Sequence, residues 1–301
     1  MTDYAALLRE IAIPRLVGTP NHARVRAALR RELEERGFAV EEHAFAGRAS
    51  RLLLGTPRLV YGVNLIAVRP SAGPPATVGE SFRVRPSVWL TAHYDSKGQP
   101  ISMATRLAGV IVLVLGAAAL PFGLVPALVL LAVGILVLSC NRATDRSPGA
   151  VDNASGVLAA LAIVDRLPRD APVGVILPDA EELGLVGARA LVRERPELLR
   201  DAAVVNFDGL DDAGRPVAFL HRRGPVGEAA AAALHALSAP WFPVVVDGIA
   251  FAGPSRECVT IMKGDWATMR VVHTTRDAAD RLTLAGVLEV AEGVARALRT
   301  A

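Results

Sequence analysis

The sequence predicts an α/β fold, a three-layer α/β/α sandwich around a mixed, largely parallel central sheet, with a hydrophobic helical hairpin inserted into it. Three observations predict this. Short strand-like apolar runs alternate with segments of helical periodicity along most of the chain, the pattern of helices covering both faces of a sheet. Hydrophobic residues are 52% of the 301 positions and charged ones 21%, enough apolar surface for a large core and too much for disorder as the dominant state. The excess is concentrated: Leu107 to Cys140 is a run of 34 residues without a charge, 27 of them hydrophobic. A chain of this length is long for one ordinary domain and short for two. It divides as 1–106 with 147–301, a discontinuous main domain, and 107–146, the inserted hairpin.

The elements follow in order. Tyr4, Leu7, Leu8 and Ile11 recur at helical spacing, and after the turn Gly18-Thr19-Pro20-Asn21 a second helix carries Val25, Leu29 and Leu33, with Gly37 as its cap. Strands are predicted at Phe38 to Phe45, Leu59 to Val68 and Pro86 to His93. The last is nearly continuously apolar, as in a sheet buried on both faces. SAGPPATVGE, between the second and third strands, reads as a loop from its Pro and Gly. Beyond the apolar run, VDNASG enters a helix, Val173 to Leu177 is a strand, and Gly187 to Glu194 a helix. Ala202 to Phe207 and Val217 to Leu220 are strands, Val226 to Leu237 is an alanine-rich helix, Val244 to Val246 and Val259 to Met262 are short strands, and Leu282 to Leu298 is the closing helix.

Charge excludes some functions. The 33 basic and 30 acidic side chains give a net +3 without basic blocks, aromatics are few, and no zinc-finger, RNA-recognition or helix-turn-helix signature occurs, so nucleic acid is not the expected partner. Two cysteines, Cys140 and Cys258, make no disulfide framework and lack metal-site spacing; both read as inert packing residues. Gly-x-Ser-x-Gly is absent, so no serine-hydrolase elbow is indicated. The start, MTDYAALLRE, has no basic region and apolar stretch of a secretory signal.

Chemistry concentrates where predicted strands end, the usual place for a site in an open α/β sheet. His93-Tyr94-Asp95, Glu181-Glu182, Asn206-Phe207-Asp208 and His273-Thr274-Thr275-Arg276-Asp277 follow apolar runs, and Asp152-Asn153 opens a helix. Singly, each has an ordinary structural explanation: a core histidine, a helix N-cap, a solvated first turn, a turn residue. Jointly, five accidents would have to place carboxylates and imidazoles at corresponding positions. His with carboxylate and no cysteine is the donor set of a catalytic rather than a structural zinc site.

The ordered words AHYDS, GAVDNASG, DAEELGLVGAR, NFDGL and HTTRDAADRL resemble the di-zinc aminopeptidases of peptidase family 28 of the metallopeptidases, and RLVGTPNHARVRAALRRELEERGFAVEEHAF is similar to their helical lead-in. The resemblance covers 8–106 and 147–300. It implies that Asp152 bridges two metal ions, that His93 and Asp208 complete one site and Glu182 with His273 the other, and that Glu181 is the general base. Asp95, two residues beyond His93, would orient that imidazole. It implies two Zn2+ as cofactor, with Co2+ or Mn2+ as possible substitutes, and hydrolysis of amino-terminal peptide bonds. Glutaminyl-cyclase-like or carboxypeptidase-like chemistry on the same scaffold is one alternative, and a non-catalytic peptidase-like membrane binding or assembly module another. His22, His43, His221 and His235 are expected to pack or lie at the surface. Asp277 and Asp280 most simply cap the closing helix near Leu282, although the resemblance makes Asp277 a support for the site loop. Ser255-Arg256-Glu257 matches the family too loosely for a role.

The departure from the family is the insert. In relatives a short loop joins the carboxylate after the first histidine to the bridging aspartate; here 56 residues separate Asp95 from Asp152. Pro121-Phe122-Gly123-Leu124-Val125-Pro126 splits the apolar run into two arms of about 16 residues, each about 24 Å long as a helix. Because both ends return to one site, any crossing of a bilayer occurs an even number of times. Lys97 and Arg106 at one end and Arg142 and Arg146 at the other place positive charge on one side. The expectation is a membrane-embedded hairpin, the lipid bilayer as partner through Leu107 to Cys140, and the catalytic domain on the cytoplasmic side of the cell membrane. The soluble alternative packs the hairpin in an oligomer interface or over the site.

Overall fold

The structure, a computed structural model, describes residues 2–51, 54, 56–69, 86–239 and 245–300. Helix α1 (Tyr4–Ile11) starts where the Asp3 carboxylate accepts the Ala6 N–H, and buries Leu7, Leu8 and Ile11. Helix α2 (Pro20–Glu35) is capped by the Thr19 hydroxyl, and Gly37 beyond its end takes φ +80°, a left-handed turn suited to glycine.

Among the described residues eight strands form one sheet: β1 (Ala39–Arg48), β2 (Leu59–Val68), β3 (Val88–Thr91), β4 (Val173–Leu177), β5 (Ala203–Leu210), β6 (Arg215–Arg222), β7 (Leu237–Ser238) and β8 (Glu257–Gly264). Their order is β1-β2-β4-β3-β5-β8-β6-β7. The central strands β4, β3, β5 and β8 run parallel, while β1, β2 and β6 pair antiparallel at the flanks. The mixed, largely parallel sheet is the one expected.

Side-chain alternation sorts the core into two layers. Val88, Leu90, Val175, Leu177, Val205 and Phe207 face α1, α2, α5 (Ser155–Arg166) and α10 (Ala285–Thr300). Trp89, Ile176 and Val204, one residue out of phase, face α6 (Val186–Glu194) and α8 (Asp247–Ala252). Both faces are covered, which is why these strands read as continuous apolar runs.

Three boundaries differ from expectation. The helix expected over Val226 to Leu237 is α7 (Pro225–Ala233); the chain turns at His235, φ +48°, and Leu237–Ser238 pairs with β6. Alanine favours helix wherever it stands, so the run carries no stop signal and hides that end. Of the strand expected at Val244 to Val246, Val244 lies outside the described residues, while Val245 and Val246 form no strand and Val246 precedes α8. The closing helix begins at Ala285 rather than Leu282, after Leu284 with φ +72°. The predicted loop SAGPPATVGE falls outside the described residues.

The apolar run forms helices α3 (Met103–Ala119) and α4 (Leu124–Ser139), joined by a 3-10 turn at Leu120–Phe122. They pack backbone to backbone. A Cβ on Gly116 would lie 2.8 Å from Leu131 N, and one on Gly134 2.9 Å from Leu113 N. Away from that seam the hairpin is bare: Val114, Leu115, Phe122, Val125 and Leu136 are all exposed. Met103–Phe122 is long and apolar enough to cross a membrane, with mean hydropathy 2.1, whereas Leu124–Ser139 is shorter.

Candidate metal centre

Strands β3, β4 and β5 are adjacent and parallel, so their carboxyl ends open on one edge of the sheet. His93 and Asp95 follow β3, Glu181 and Glu182 follow β4 in a 3-10 turn, and Asp208 lies near the end of β5. Asp152 stands just before α5, and His273, φ +67°, in the loop after α9 (Trp266–Met269). All seven predicted side chains meet at this edge.

The ligand atoms form two triads. One is His93, Asp152 and Asp208 and the other Asp152, Glu182 and His273; within each, one donor atom per residue lies within 4.8 Å of the others. Asp152 is common to both. Its Oδ1 is 3.1 Å from His93 Nε2 and its Oδ2 3.0 Å from His273 Nε2, which is 3.1 Å from Glu182 Oε2. Glu181 belongs to neither triad, and its Oε2 is 3.9 Å from His93 Nε2.

These residues fit divalent cations by a test independent of the family. Among the described residues His93 Nδ1, His93 Nε2 and Glu182 Oε1 are buried without a hydrogen-bond partner, although carboxylate oxygens lie 3.4 Å from Nδ1 and 3.1 Å from Nε2. Orphaned polar atoms of this kind need an explanation, and donors converging at angles unsuited to hydrogen bonding suit a cation. Zinc takes such a set of imidazoles and carboxylates.

Backbone anchoring holds the constellation. Asp95 is fully buried and accepts the Glu181 N–H at 3.1 Å and the Glu182 N–H at 3.2 Å. Asp277 accepts the Val151 N–H at 2.7 Å and the Asp152 N–H at 3.2 Å, so it supports the loop carrying the shared aspartate. That corrects the simpler expectation: neither Asp277 nor Asp280, which sits in a separate 3-10 turn, caps α10. Asn153 donates to Phe207 O at 2.8 Å and accepts the Gly209 N–H at 3.3 Å, tying the same loop to the strand of Asp208.

Electrostatics follow from crowding. Burial, with the charges of Glu182, Asp208 and Asp247 adding to it, outweighs His93 and leaves Glu181 well above the usual carboxylate range. Burial, with Asp152, pushes Asp208 up to about 8. Burial would also raise Asp152, but His273 and His93 hold it well below its ordinary value. Glu182 is drawn down to about 2 against burial by His273 and Lys97. Burial would lower both histidines, yet Glu181 beside His93 and Glu182 beside His273 keep them raised.

Several contributors were not legible. Lys97, expected among positive charges flanking the hairpin, is turned inward and buried. Its Nζ is 2.8 Å from Glu182 Oε2 and 3.2 Å from Glu182 O. Arg106 is also drawn toward the site, so only Arg142 and Arg146 of that set are exposed. Buried Arg15 donates to Tyr94 O at 2.6 Å, to Gly149 O at 2.9 Å and to Pro148 O, joining the His93 loop to the Asp152 loop. Asp247, 1% exposed, has both oxygens without a hydrogen-bond partner among the described residues. Its signal was present, a carboxylate directly after the apolar VVV.

The remaining candidates lie elsewhere. His22 pairs with Asp179 at 2.8 Å, His43 with Glu194 at 2.9 Å, and His221 with Thr260 at 2.9 Å, while His235 is exposed. Glu257 accepts the N–H groups of Val226 and Gly227 at the start of α7, a structural role. Cys258 is buried, but Cys140 is exposed at the hairpin's end rather than packed in the core.

Residues 76–298 match the sequence profile described as Peptidase family M28. Similar folds occur in the glutaminyl cyclase of Porphyromonas gingivalis, with TM-score 0.66 and 18% identity over 99% of this chain and 96% of that one. An aminopeptidase from Aneurinibacillus sp. strain AM-1 gives 0.65 and 13%, over 99% and 93%. BSAP, a zinc aminopeptidase from Bacillus subtilis, gives 0.64 and 13%, over 99% and 94%. No curated protein matches the chain in sequence.

Proposed function

The chain belongs to peptidase family M28, and from that premise we propose that it is a membrane-associated, zinc-dependent aminopeptidase hydrolysing amino-terminal peptide bonds. One observation carries the reading. Glu181 stands beside both ligand triads and in neither, buried and 3.9 Å from His93 Nε2, as a proton carrier must.

His93, Asp152 and Asp208 would hold one zinc ion and Asp152, Glu182 and His273 the other. Bound there, the pair supplies Lewis acidity toward a water and a peptide carbonyl. Glu181, held in neither triad, would take the proton from the attacking water and deliver it to the departing amine nitrogen. Asp95 orients the His93 ring from its Nδ1 side, 3.4 Å away. Asp152 turns one oxygen toward each triad, so its single negative charge would be shared between the two ions.

The bare apolar flanks of α3 and α4 support seating the hairpin, Leu107 to Cys140, in the bilayer of the cell membrane, with the catalytic domain on the cytoplasmic side. Exposed Arg142 and Arg146 at its root favour that orientation.

The test is zinc per chain by elemental mass spectrometry on detergent-purified protein, with aminoacyl-peptide hydrolysis measured alongside. About two ions, falling sharply in Asp152→Ala together with activity, supports the reading; no zinc under replete conditions overturns it. A second reading has one observation in its favour: the Lys97 ammonium already sits against Glu182, as a one-metal site would permit. One tightly held zinc and cyclisation of amino-terminal glutamine would favour that cyclase chemistry.

A further inference from the structure

We propose that the catalytic domain carries a second membrane contact, a rim of arginine, tyrosine and tryptophan side chains around the root of the hairpin that seats on anionic lipid headgroups. This deepens the membrane reading of the hairpin and rests on it.

The root is where the uncharged stretch ends, at Arg106 on one leg and just after Cys140 on the other. The two legs are bonded to each other there, Gly98 N–H to Thr144 O at 2.7 Å and Thr144 N–H to Gly98 O at 2.8 Å. Two pieces of the catalytic domain abut it. On one flank the Leu54 N–H donates to Asn141 O at 3.0 Å, and Leu54 O accepts the Ala143 N–H at 2.9 Å. Leu59 and Tyr61, from the start of β2, line a cavity of about 240 Å³ together with Ala143. On the other flank α9 packs beside α3, and the loop after α9 is tied to the root where the Gln99 N–H donates to His273 O at 2.8 Å. Both flanks therefore meet the hairpin where apolar helix gives way to polar chain. In an embedded hairpin that is the headgroup level.

Aromatic side chains mark the same level. Trp89 and Tyr94 are fully buried, and Tyr4 is half-buried. The exposed tyrosine and tryptophan among the described residues are Tyr61, at 70%, and Trp266, at 57%, one on each flank. Rings with an apolar body and a polar tip suit the boundary between hydrocarbon and water.

Charge selects the lipid. Segments 51–61, 141–149 and 265–276 carry six arginines, Arg51, Arg58, Arg142, Arg146, Arg270 and Arg276, all exposed, against Asp145 and Asp265. Both aspartates are engaged with backbone: Asp145 accepts the Leu16 N–H at 3.0 Å, and Asp265 caps α9 by accepting the Thr268 N–H at 3.0 Å. Exposed arginines elsewhere find carboxylates, as Arg30 does in Glu34 and Arg31 in Glu10. Among the described residues none of the six rim arginines has an ion-pair partner. Like charges gathered beside aromatic rings and left without counter-charge fit a surface that supplies many negative charges at once, which an anionic leaflet does.

The test reconstitutes zinc-loaded, full-length protein in two kinds of vesicle, phosphatidylcholine alone and equal parts of phosphatidylcholine and phosphatidylglycerol. Each contains some lipid with a nitroxide on its headgroup. Trp266 emission is read as the difference between wild type and Trp266→Phe. The expected result is strong quenching in the anionic vesicles, weak quenching in the neutral ones, and relief of the difference by high salt. Each basic side chain at an anionic surface is worth about fivefold in binding. Arg51→Gln, Arg58→Gln, Arg142→Gln and Arg270→Gln together therefore abolish the difference between the vesicles, whereas lysine at the same four positions keeps it. Zinc content equal to wild type verifies that each variant retains its metal centre. Quenching that is absent from both vesicles, equal in both, or unchanged by the glutamine substitutions overturns the rim while the chain still floats with the vesicles. A chain that floats with neither vesicle overturns the membrane reading itself, and the rim with it.

Discussion

Asp95 accepts the backbone N–H of Glu181 at 3.1 Å, and through that bond a carboxylate on one strand end positions the proposed proton carrier on the next. Its other oxygen takes the Glu182 N–H at 3.2 Å, and its Oδ1 lies 3.4 Å from His93 Nδ1. Asp95 thus touches three members of the site while remaining completely buried. Asp95→Asn replaces one acceptor by a donor that opposes an N–H. The expected result is a loss of about 10- to 100-fold in zinc affinity or kcat/KM, read by competition with a chelator and by steady-state kinetics. Unchanged values in both would remove Asp95 from the site's support.

Glu181→Gln separates proton transfer from ligation. Glu181 is in neither triad, so the variant is expected to keep its zinc, while kcat falls by about 10²- to 10⁴-fold. Elemental analysis and peptide hydrolysis on the same sample check both halves. A variant that turns over at the wild-type rate would rule out Glu181 as the base.

The seven residues named from sequence meet at one edge because each closes an apolar run or opens the helix after one, and three of those runs are adjacent parallel strands. That pattern is local in sequence and therefore legible. Arg15 is the opposite case: it works by donating to Tyr94, Pro148 and Gly149 carbonyls, groups every residue has, so nothing in its surroundings marks it. Lys97 and Arg106 read as flanking charges because a sequence shows the sign and position of a charge but not its direction, and both turn toward the acidic site instead of outward. The hairpin's length and its glycines were visible; the contact of its root with His273 through Gln99 was not, because it joins residues far apart in the chain.

Asp247 gives the metal-free protein a pH dependence. Burial pushes its carboxyl up to about 7, with Asp95 and Asp179 adding to the rise against His93 and Arg189. An unfolded aspartate titrates near about 3.9, so between these values the folded state holds the extra proton. Stability therefore falls as pH climbs from about 4 to about 7 and stays lowered above that. The Tm of chelator-treated protein is expected to drop between about pH 5 and pH 8, and Asp247→Asn, which carries no charge, to flatten that slope and exceed wild type at pH 8. Asp208, pushed up to about 8, acts in the same direction, so part of the slope remains. An identical slope in wild type and Asp247→Asn would contradict the assignment.

The hairpin carries the last prediction. Its helices contact each other through Gly109, Gly116 and Gly134, and large apolar side chains of both point outward. Val114 and Leu128 are 61% and 51% exposed and lie near the middle of their helices. Exposed apolar surface costs about 25 cal/mol per Å² in water, a cost that lipid removes. At 17 and 16 residues the helices span about 26 and 24 Å, a little under the hydrocarbon thickness of about 30 Å, so local thinning or a re-entrant seat accompanies embedding. The wild-type protein is expected to resist carbonate extraction and to float with liposomes. A charge at mid-helix costs about 2.5 to 3.5 kcal/mol in a bilayer, so Val114→Arg with Leu128→Arg is expected to release the chain into the carbonate supernatant. Because neither residue touches the metal centre, zinc content should persist in the double variant. Wild-type protein recovered from the soluble fraction as an oligomer, dissociated by the same two substitutions, would show instead that the apolar flanks are covered by another copy of the chain.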